Sequence, residues 1–126
     1  MEARPHILIV DDSPLVTAAL RLLFEETGHD VSVAGTVRDA VDAATARRVD
    51  VMLLDLTLPD GDGLAALALM RARAAEPRVT AALTGRDAAE VAARCAAAGC
   101  RAVLVKPVPI AELVARVRDW TAQGAT

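Results

Sequence analysis

The sequence predicts an α/β fold in which a doubly wound, five-stranded parallel sheet carries helices on both faces. Short, continuous apolar runs alternate five times with segments of helical periodicity, and such runs are typical of parallel strands that are covered on both faces. The connections are short, and parallel strands need right-handed crossovers, so an open doubly wound sheet is the natural solution. The length of 126 residues predicts one domain over 1–126, with a core from about 5 to 122 and short frayed ends.

Each strand–helix unit has its own local signals. We predict the strands at 6–10, 31–34, 50–54, 79–83 and 102–105. The first helix begins with Ser13 as its cap and Pro14 at its first position, and Gly28 ends it. Its apolar residues recur at near-helical spacing, at Leu15, Leu20, Leu22, Leu23 and Phe24. Further helices are predicted from a Thr36 cap to about 47, from the end of a Gly/Pro loop at 59–63 to about 75, over 88–98 before Gly99, and over 110–121.

Composition excludes several classes of function. The net charge is −3 and Lys and Arg form no cluster, which argues against a nucleic-acid surface on this domain. The apolar runs have strand length, so we expect no contact with a membrane. We expect the protein to lie in the cytoplasm. Cys95 and Cys100 are the only cysteines and lack a CxxC motif, which favours reduced thiols over a zinc site. His6 and His29 are isolated, and we expect no metal-binding role for them.

The residues that follow the strands carry the chemistry. Ligands bind at the carboxyl ends of the strands in open α/β sheets. The first strand ends in Asp11 and Asp12, the third in Asp55, the fourth in Thr84 and the fifth in Lys106. Three converging carboxylates suit a hard cation such as Mg²⁺. The ammonium and the hydroxyl beside them are groups that an incoming phosphoryl group requires, and one carboxylate can act as the nucleophile.

Lys106 is the only lysine, against 13 arginines. Because a point charge on a flexible stem differs from a planar guanidinium, its place at a strand end favours a functional role.

Four motifs in order resemble the receiver domain of bacterial response regulators of the chemotaxis-regulator type. They are VDDSP at 10–14, LLDLTLPDGDG at 53–63, LTG at 83–85 and VKP at 105–107. The resemblance covers residues 5–122 and implies a flavodoxin-like strand order 2-1-3-4-5. It implies that Asp55 accepts a phosphoryl group. It also implies that Asp11, Asp12, Asp55 and the backbone carbonyl of Thr57 hold Mg²⁺, with Mn²⁺ as an alternative.

The resemblance also assigns the switch residues. Thr84 matches the hydroxyl that moves towards the phosphoryl group, Lys106 matches the lysine that pairs with a phosphate oxygen, and the bond before Pro107 is expected to be cis. The family usually carries an aromatic residue where this chain has Val103. We therefore expect phosphorylation to move Thr84 and its loop, while the output face changes less or by another route.

Two further positions match those that tune the lifetime of the phosphoryl group in the family. They are Thr57 and Arg86, each two residues beyond a site residue. Asp60 and Asp62, in contrast, lie in a Gly/Pro loop and are predicted to be turn and cap residues. Trp120 is predicted to be a packing residue.

The implied function is a phosphorylation-activated switch. The donor would be a phosphohistidine on a sensor histidine kinase or a histidine phosphotransfer protein. The switched surface would surround the last two strands and the last two helices, and it would regulate a partner or an output domain. We expect the domain to catalyse its own phosphorylation and, slowly, its own dephosphorylation. We do not expect it to act as an enzyme that turns over a separate substrate. Cys100 and Arg101 occupy a stretch where dimerising regulators carry acids, so we expect a monomer or a weak, phosphorylation-dependent dimer.

Two other classes of protein fit the sequence less well. A phosphatase of the haloacid dehalogenase type needs D-x-D after the first strand, whereas Asp11 and Asp12 are adjacent. A flavodoxin-like FMN binder needs a phosphate-cradling loop at the same place. The sequence leaves open whether the chain is a complete regulator or a receiver cut from a hybrid kinase or a larger regulator.

Overall fold

The computed structural model describes residues 4–85 and 88–123. Its strands are β1 (His6–Val10), β2 (Asp30–Ala34), β3 (Val51–Asp55), β4 (Thr57–Leu58), β5 (Gly61–Asp62), β6 (Val79–Thr84) and β7 (Ala102–Val105). Its helices are α1 (Pro14–Glu26), α2 (Val37–Ala46), α3 (Gly63–Ala72), α4 (Ala88–Ala98) and α5 (Ile110–Gln123). None of the helices in the described part of the chain has the length and apolar character that crossing a membrane requires.

The main sheet has the order β2-β1-β3-β6-β7, and all of its neighbouring strands are parallel. Counted among these five strands alone, the order is 2-1-3-4-5, and the predicted doubly wound fold is confirmed. Every residue of the three central strands is buried. The continuous apolar runs of the sequence follow from this position, because a central parallel strand is covered on both faces.

Alternate residues of the central strands face two different layers of the core. Ile7 and Ile9 of β1 pack with residues of α1 and α5, including Phe24 and Trp120. Leu8 and Val10 pack instead with residues of α2 and α3. The predicted packing role of Trp120 is therefore confirmed. Helix α4 covers the remaining part of the second face, where Val91 and Cys95 contact Leu56 and Ala82.

Polar caps place the helix starts where the sequence predicts them. The Ser13 side chain accepts from the Val16 amide and the Thr36 side chain accepts from the Asp39 amide. Asp62 caps α3 by accepting from the Leu64 amide at 2.9 Å. Its predicted cap role is thus confirmed.

Three details differ from the sequence-based prediction. The loop at 59–63 contains a short antiparallel hairpin of β4 and β5. Helix α3 ends at Ala72, three residues early, because Ala74 adopts a left-handed conformation with φ of 54°. Leu15 and Leu22 do not belong to the core, since they are 82% and 62% exposed.

Candidate functional site

The carboxyl ends of the strands bring five predicted residues to one edge of the sheet. Asp11 directly follows β1, Asp55 ends β3, Thr84 ends β6 and Lys106 directly follows β7. Asp12 is exposed beside Asp11, whereas Asp11, Asp55 and Thr84 are buried. This convergence is a consequence of parallel topology, which places all strand ends of one kind on the same side of the sheet.

Three carboxylates form a cluster at this edge. Asp11, Asp12 and Asp55 each offer an oxygen, and these oxygens lie within 4.8 Å of one another. Backbone amides fix two of the groups: Ser13 N donates to Asp11 Oδ1 at 2.9 Å, and Thr57 N donates to Asp55 Oδ1 at 3.0 Å. Each of these carboxylates thus keeps its other oxygen, Oδ2, for contacts across the site.

Lys106 supplies a positive charge in the site. Its Nζ donates to Asp11 Oδ2 at 2.6 Å and to Asp55 Oδ2 at 3.2 Å. Burial disfavours the ammonium, but the hydrogen bonds to Asp11 and Asp55 outweigh burial and raise the pKa of Lys106 above its ordinary value. The Lys106 amide also donates to the Thr84 carbonyl at 2.8 Å, so the backbone ties together two predicted switch residues.

The charges of these groups do not balance. Three carboxylates against one ammonium leave a formal charge of −2 on the described groups of the cluster. A single divalent cation would offset this charge, and carboxylate oxygens are the ligands that Mg²⁺ prefers. The residues present therefore fit a magnesium ion.

The backbone at the start of α3 packs closely against the backbone of Asp55, the phosphoacceptor candidate. Gly63, at the start of α3, lies so near β3 that a Cβ there would stand 2.2 Å from the Asp55 carbonyl oxygen. Its amide donates to the Leu56 carbonyl at 3.0 Å. Glycine is required here by the close approach of two backbone segments.

The remaining predicted residues have these positions. The Lys106–Pro107 peptide bond is cis. Val103 is half-buried in β7 and packs against the cluster under α4. Thr57 is exposed in β4. Arg86 lies outside the described residues.

The sequence predicts Asp60 and Asp62 as turn and cap residues, but it does not reveal the partner of either residue in two contacts near the site. Asp60 accepts from the Val37 amide at 2.7 Å and from the Arg38 amide at 3.2 Å, so it caps the start of α2 from a distant loop. These hydrogen bonds lower the pKa of Asp60. Arg94 of α4 forms an ion pair with Asp62. Partners 23 and 32 residues apart in the chain carry no local signal in a single sequence.

A five-stranded parallel sheet with an acidic cluster and a lysine at its carboxyl edge is typical of signalling receiver domains. The family model described as the response regulator receiver domain matches residues 7–118, and the chain belongs to this family. It is therefore a receiver domain of two-component signalling, the class whose members work with histidine kinases.

Curated relatives are consistent with this family. The chain is 36% identical over 113 residues to the swarming motility regulation protein RssB of Serratia marcescens, covering 90% of this chain and 51% of that protein. It is 34% identical over 113 residues to the KDP operon transcriptional regulatory protein KdpE of Escherichia coli, covering 90% and 49%. The chain spans about half the length of these relatives.

Solved structures share the fold. The receiver domain of the Francisella response regulator 1452 superimposes with a TM-score of 0.86 at 26% identity, covering 96% of this chain and 99% of that one. The receiver domain of the sensor histidine kinase PA1611 from Pseudomonas aeruginosa superimposes with a TM-score of 0.81 at 29% identity, covering 94% and 98%. That structure has a magnesium ion coordinated in its active-site cleft.

Proposed function

We propose that Asp55 accepts a phosphoryl group from a phosphohistidine of a sensor histidine kinase or a histidine phosphotransfer protein. The observation that carries this proposal is the position of Lys106 Nζ, which lies 3.2 Å from Asp55 Oδ2 and 2.6 Å from Asp11 Oδ2. An ammonium at this point would neutralise a phosphate oxygen arriving at Asp55 and would lower the barrier to attack by the carboxylate.

The transfer step is a displacement at phosphorus. A carboxylate oxygen of Asp55 attacks, the bond from phosphorus to the nitrogen of a protonated phosphohistidine ring breaks, and an aspartyl phosphate and a neutral histidine result, with the proton kept on the other ring nitrogen. As the phosphoryl group arrives, Lys106 exchanges its contact with Asp55 for a phosphate oxygen. The Thr84 hydroxyl donates a hydrogen bond to another phosphate oxygen and draws the end of β6 towards the site.

Mg²⁺ would be held by Asp11, Asp12, Asp55 and the backbone carbonyl of Thr57, with Mn²⁺ as an alternative. When bound, the cation offsets the carboxylate charge and neutralises phosphate oxygens during transfer. The three carboxylate oxygens within 4.8 Å support this assignment. The magnesium ion in the 29%-identical receiver domain of PA1611 supports it independently.

The consequence of phosphorylation is a change in the surface formed by the end of β6, by β7 and by α4 and α5. This surface would regulate a partner protein or an output domain. The proposed role is that of a switch that also hydrolyses its own aspartyl phosphate slowly, and the family match favours it over a phosphatase or a flavin binder.

Intact mass spectrometry tests the proposal directly. After treatment with acetyl phosphate and Mg²⁺, we expect a single phosphoryl adduct that is absent with EDTA and absent in Asp55→Asn. Asp42→Asn, which removes a carboxylate outside the cluster, serves as the control and should form the adduct normally. If neither acetyl phosphate nor a phosphohistidine donor protein labels the wild-type chain, the proposal is wrong.

A further inference from the structure

An ion pair joins the hairpin beside the phosphoacceptor to helix α4. Arg94 Nη2 donates to Asp62 Oδ2. The other oxygen of Asp62 is already held, because Oδ1 accepts from the Leu64 amide at 2.9 Å and caps α3. The cap thus fixes the direction of the carboxylate, and the carboxylate in turn holds Arg94 over the loop that follows β3.

A small polar cavity lies beside this ion pair. Its volume is about 60 Å³. It is lined by Leu56, Thr57, Asp62, Thr84, Val91 and Arg94. Two of these lining residues adjoin Asp55: the Thr57 amide donates to Asp55 Oδ1 at 3.0 Å, and Thr84 follows Leu83, which pairs with Asp55 in the sheet.

The cavity has the size and the chemistry to hold water. A single water needs roughly 10–15 Å³ of accessible space together with two or more polar partners. The hydroxyls of Thr57 and Thr84 and the ion pair of Arg94 and Asp62 offer such partners on its walls. Water in this cavity would lie next to Thr57 and Thr84, two lining residues that adjoin Asp55.

We propose that the Arg94–Asp62 ion pair is a gate that controls how fast water from this cavity reaches an aspartyl phosphate on Asp55. This inference rests on the proposed function. In the hydrolysis step, a water oxygen attacks phosphorus and the bond from phosphorus to Asp55 breaks. Inorganic phosphate leaves and the carboxylate is restored. Arg94 is a positioning residue in this scheme, since it contacts neither Asp55 nor Lys106 in the described structure.

The exposure of the Arg94–Asp62 ion pair is consistent with a contact that breaks and re-forms easily. The Arg94 and Asp62 side chains are 54% and 40% exposed. Exposed ion pairs are weak and are screened by salt. The gate would therefore open readily, and the lifetime of the phosphoryl group should shorten as the ionic strength rises.

The test compares phosphoryl lifetimes by intact mass after removal of the phosphodonor. We expect Arg94→Gln and Asp62→Asn to lose the phosphoryl group about two- to fivefold faster than the wild type, the range set by one exposed ion pair. Asn at position 62 retains the capability to cap α3. The double variant should be no faster than either single variant, and Arg94→Lys should regain part of the wild-type lifetime.

The control is Arg116→Gln, which breaks an exposed ion pair with Glu112 on α5, and its lifetime should equal that of the wild type. Salt should shorten the lifetime in the wild type and not in Arg94→Gln, a difference that loss of helix stability alone would not produce. Equal lifetimes in all variants, with normal adduct formation, would overturn the gate and leave the proposed function intact. No adduct in the wild type would overturn both.

Discussion

At the scale of single residues, Gly63 lies near the phosphoacceptor at a position where only glycine fits without a steric clash. We expect Gly63→Ala to lower the free energy of unfolding by about 2–3 kcal/mol, since its Cβ would collide with backbone rather than with an adaptable side chain. The colliding atom is the Asp55 carbonyl oxygen, 2.2 Å from the new Cβ. Urea denaturation measures the change.

Gly85 offers the matched control for this substitution. Among the residues that the structure describes, nothing lies within 4 Å of a Cβ built at Gly85. Gly85→Ala should therefore change stability by well under 1 kcal/mol, within the range of ordinary surface substitutions. A cost for Gly85→Ala as large as that for Gly63→Ala would contradict the steric explanation.

His29 makes stability depend on pH. Its ring is buried against Phe24 in an edge-to-face contact, and its Nδ1 lies 3.1 Å from the Thr27 hydroxyl. Burial lowers the pKa of His29 below its ordinary value of 6.5, and the charge of Arg4 acts in the same direction. Folding thus favours the neutral ring. The stabilisation is present above pH 6.5 and is lost as pH falls through the lower pKa of the folded state.

We expect the urea midpoint of the wild type to fall between pH 7.5 and pH 5, and to fall less in His29→Gln. His6 is present in both proteins, so the difference between them isolates His29. A direct NMR titration of the ring gives the second check. A titration midpoint of His29 above that of a model peptide would refute the expected direction of this pH dependence.

The chemistry-bearing residues of the site were predictable one by one. Asp11, Asp55, Thr84 and Lys106 each end a strand-like run, and parallel topology collects such residues at one edge. The Asp60 cap on α2 and the Arg94 contact with Asp62 were not predictable, because they depend on how a loop and a helix pack in three dimensions.

At the scale of elements, the end of α3 shows what a residue pattern conceals. The Ala75 amide donates to the Met70 carbonyl at 2.8 Å, and Ala74 between them has φ of 54°. This is the arrangement that usually carries glycine after a helix. With alanine in its place, the sequence has no stop signal, which is why it predicts a helix that continues to about 75.

Glycine at position 74 should therefore stabilise the fold. We expect Ala74→Gly to raise the free energy of unfolding by about 0.5–1 kcal/mol, because the left-handed conformation costs an L-residue more than glycine loses in chain entropy. Gly28 follows α1 with φ of 96°, and no atom of the described part of the chain lies within 4 Å of its Cβ position. Gly28→Ala should thus give a change of similar size and opposite sign. Thermal unfolding of the two variants measures both, and a loss of stability in Ala74→Gly would contradict the argument.

The apolar pattern of α1 does not distinguish buried from exposed leucines. Leu15 and Leu22 share the near-helical spacing of Leu20 and Phe24, but only the latter two are buried. A helix on the surface buries one stripe. A short alternation of leucines around that stripe does not show which of them face the core.

At the scale of the whole molecule, the doubly wound sheet was predictable from the pattern of apolar runs and helices, whereas its strand order came only from the resemblance to receiver domains. Five buried parallel runs with helical crossovers favour a doubly wound sheet, and the observed order β2-β1-β3-β6-β7 places the β1 and β3 ends side by side. The acidic cluster is a product of that order. The route by which phosphorylation would change the distant surface was not determined by topology, since it depends on side chains between β6 and α4.

Val103 decides how far such a change should travel. It lies on the edge strand β7 and packs against the cluster of Leu56, Val91 and Cys95 under α4. A β-branched side chain is short and has a restricted χ1, so it cannot sweep from solvent to core as the family's usual aromatic residue does. The Thr84 end of β6 adjoins α4, because Thr84 lines one cavity with Val91 and Arg94.

Hydrogen exchange with and without beryllofluoride and Mg²⁺ measures which strands and helices change on activation. We expect altered protection to be larger at the end of β6 and along α4 than in β7 and α5. Asp55→Asn treated in the same way should show neither effect, which separates activation from non-specific binding of the reagent. Large changes centred on Val103 and α5 would mean that the edge strand transmits the signal without an aromatic residue. In that case the restricted side chain of Val103 would not limit how much the surface of β7 and α5 changes on phosphorylation.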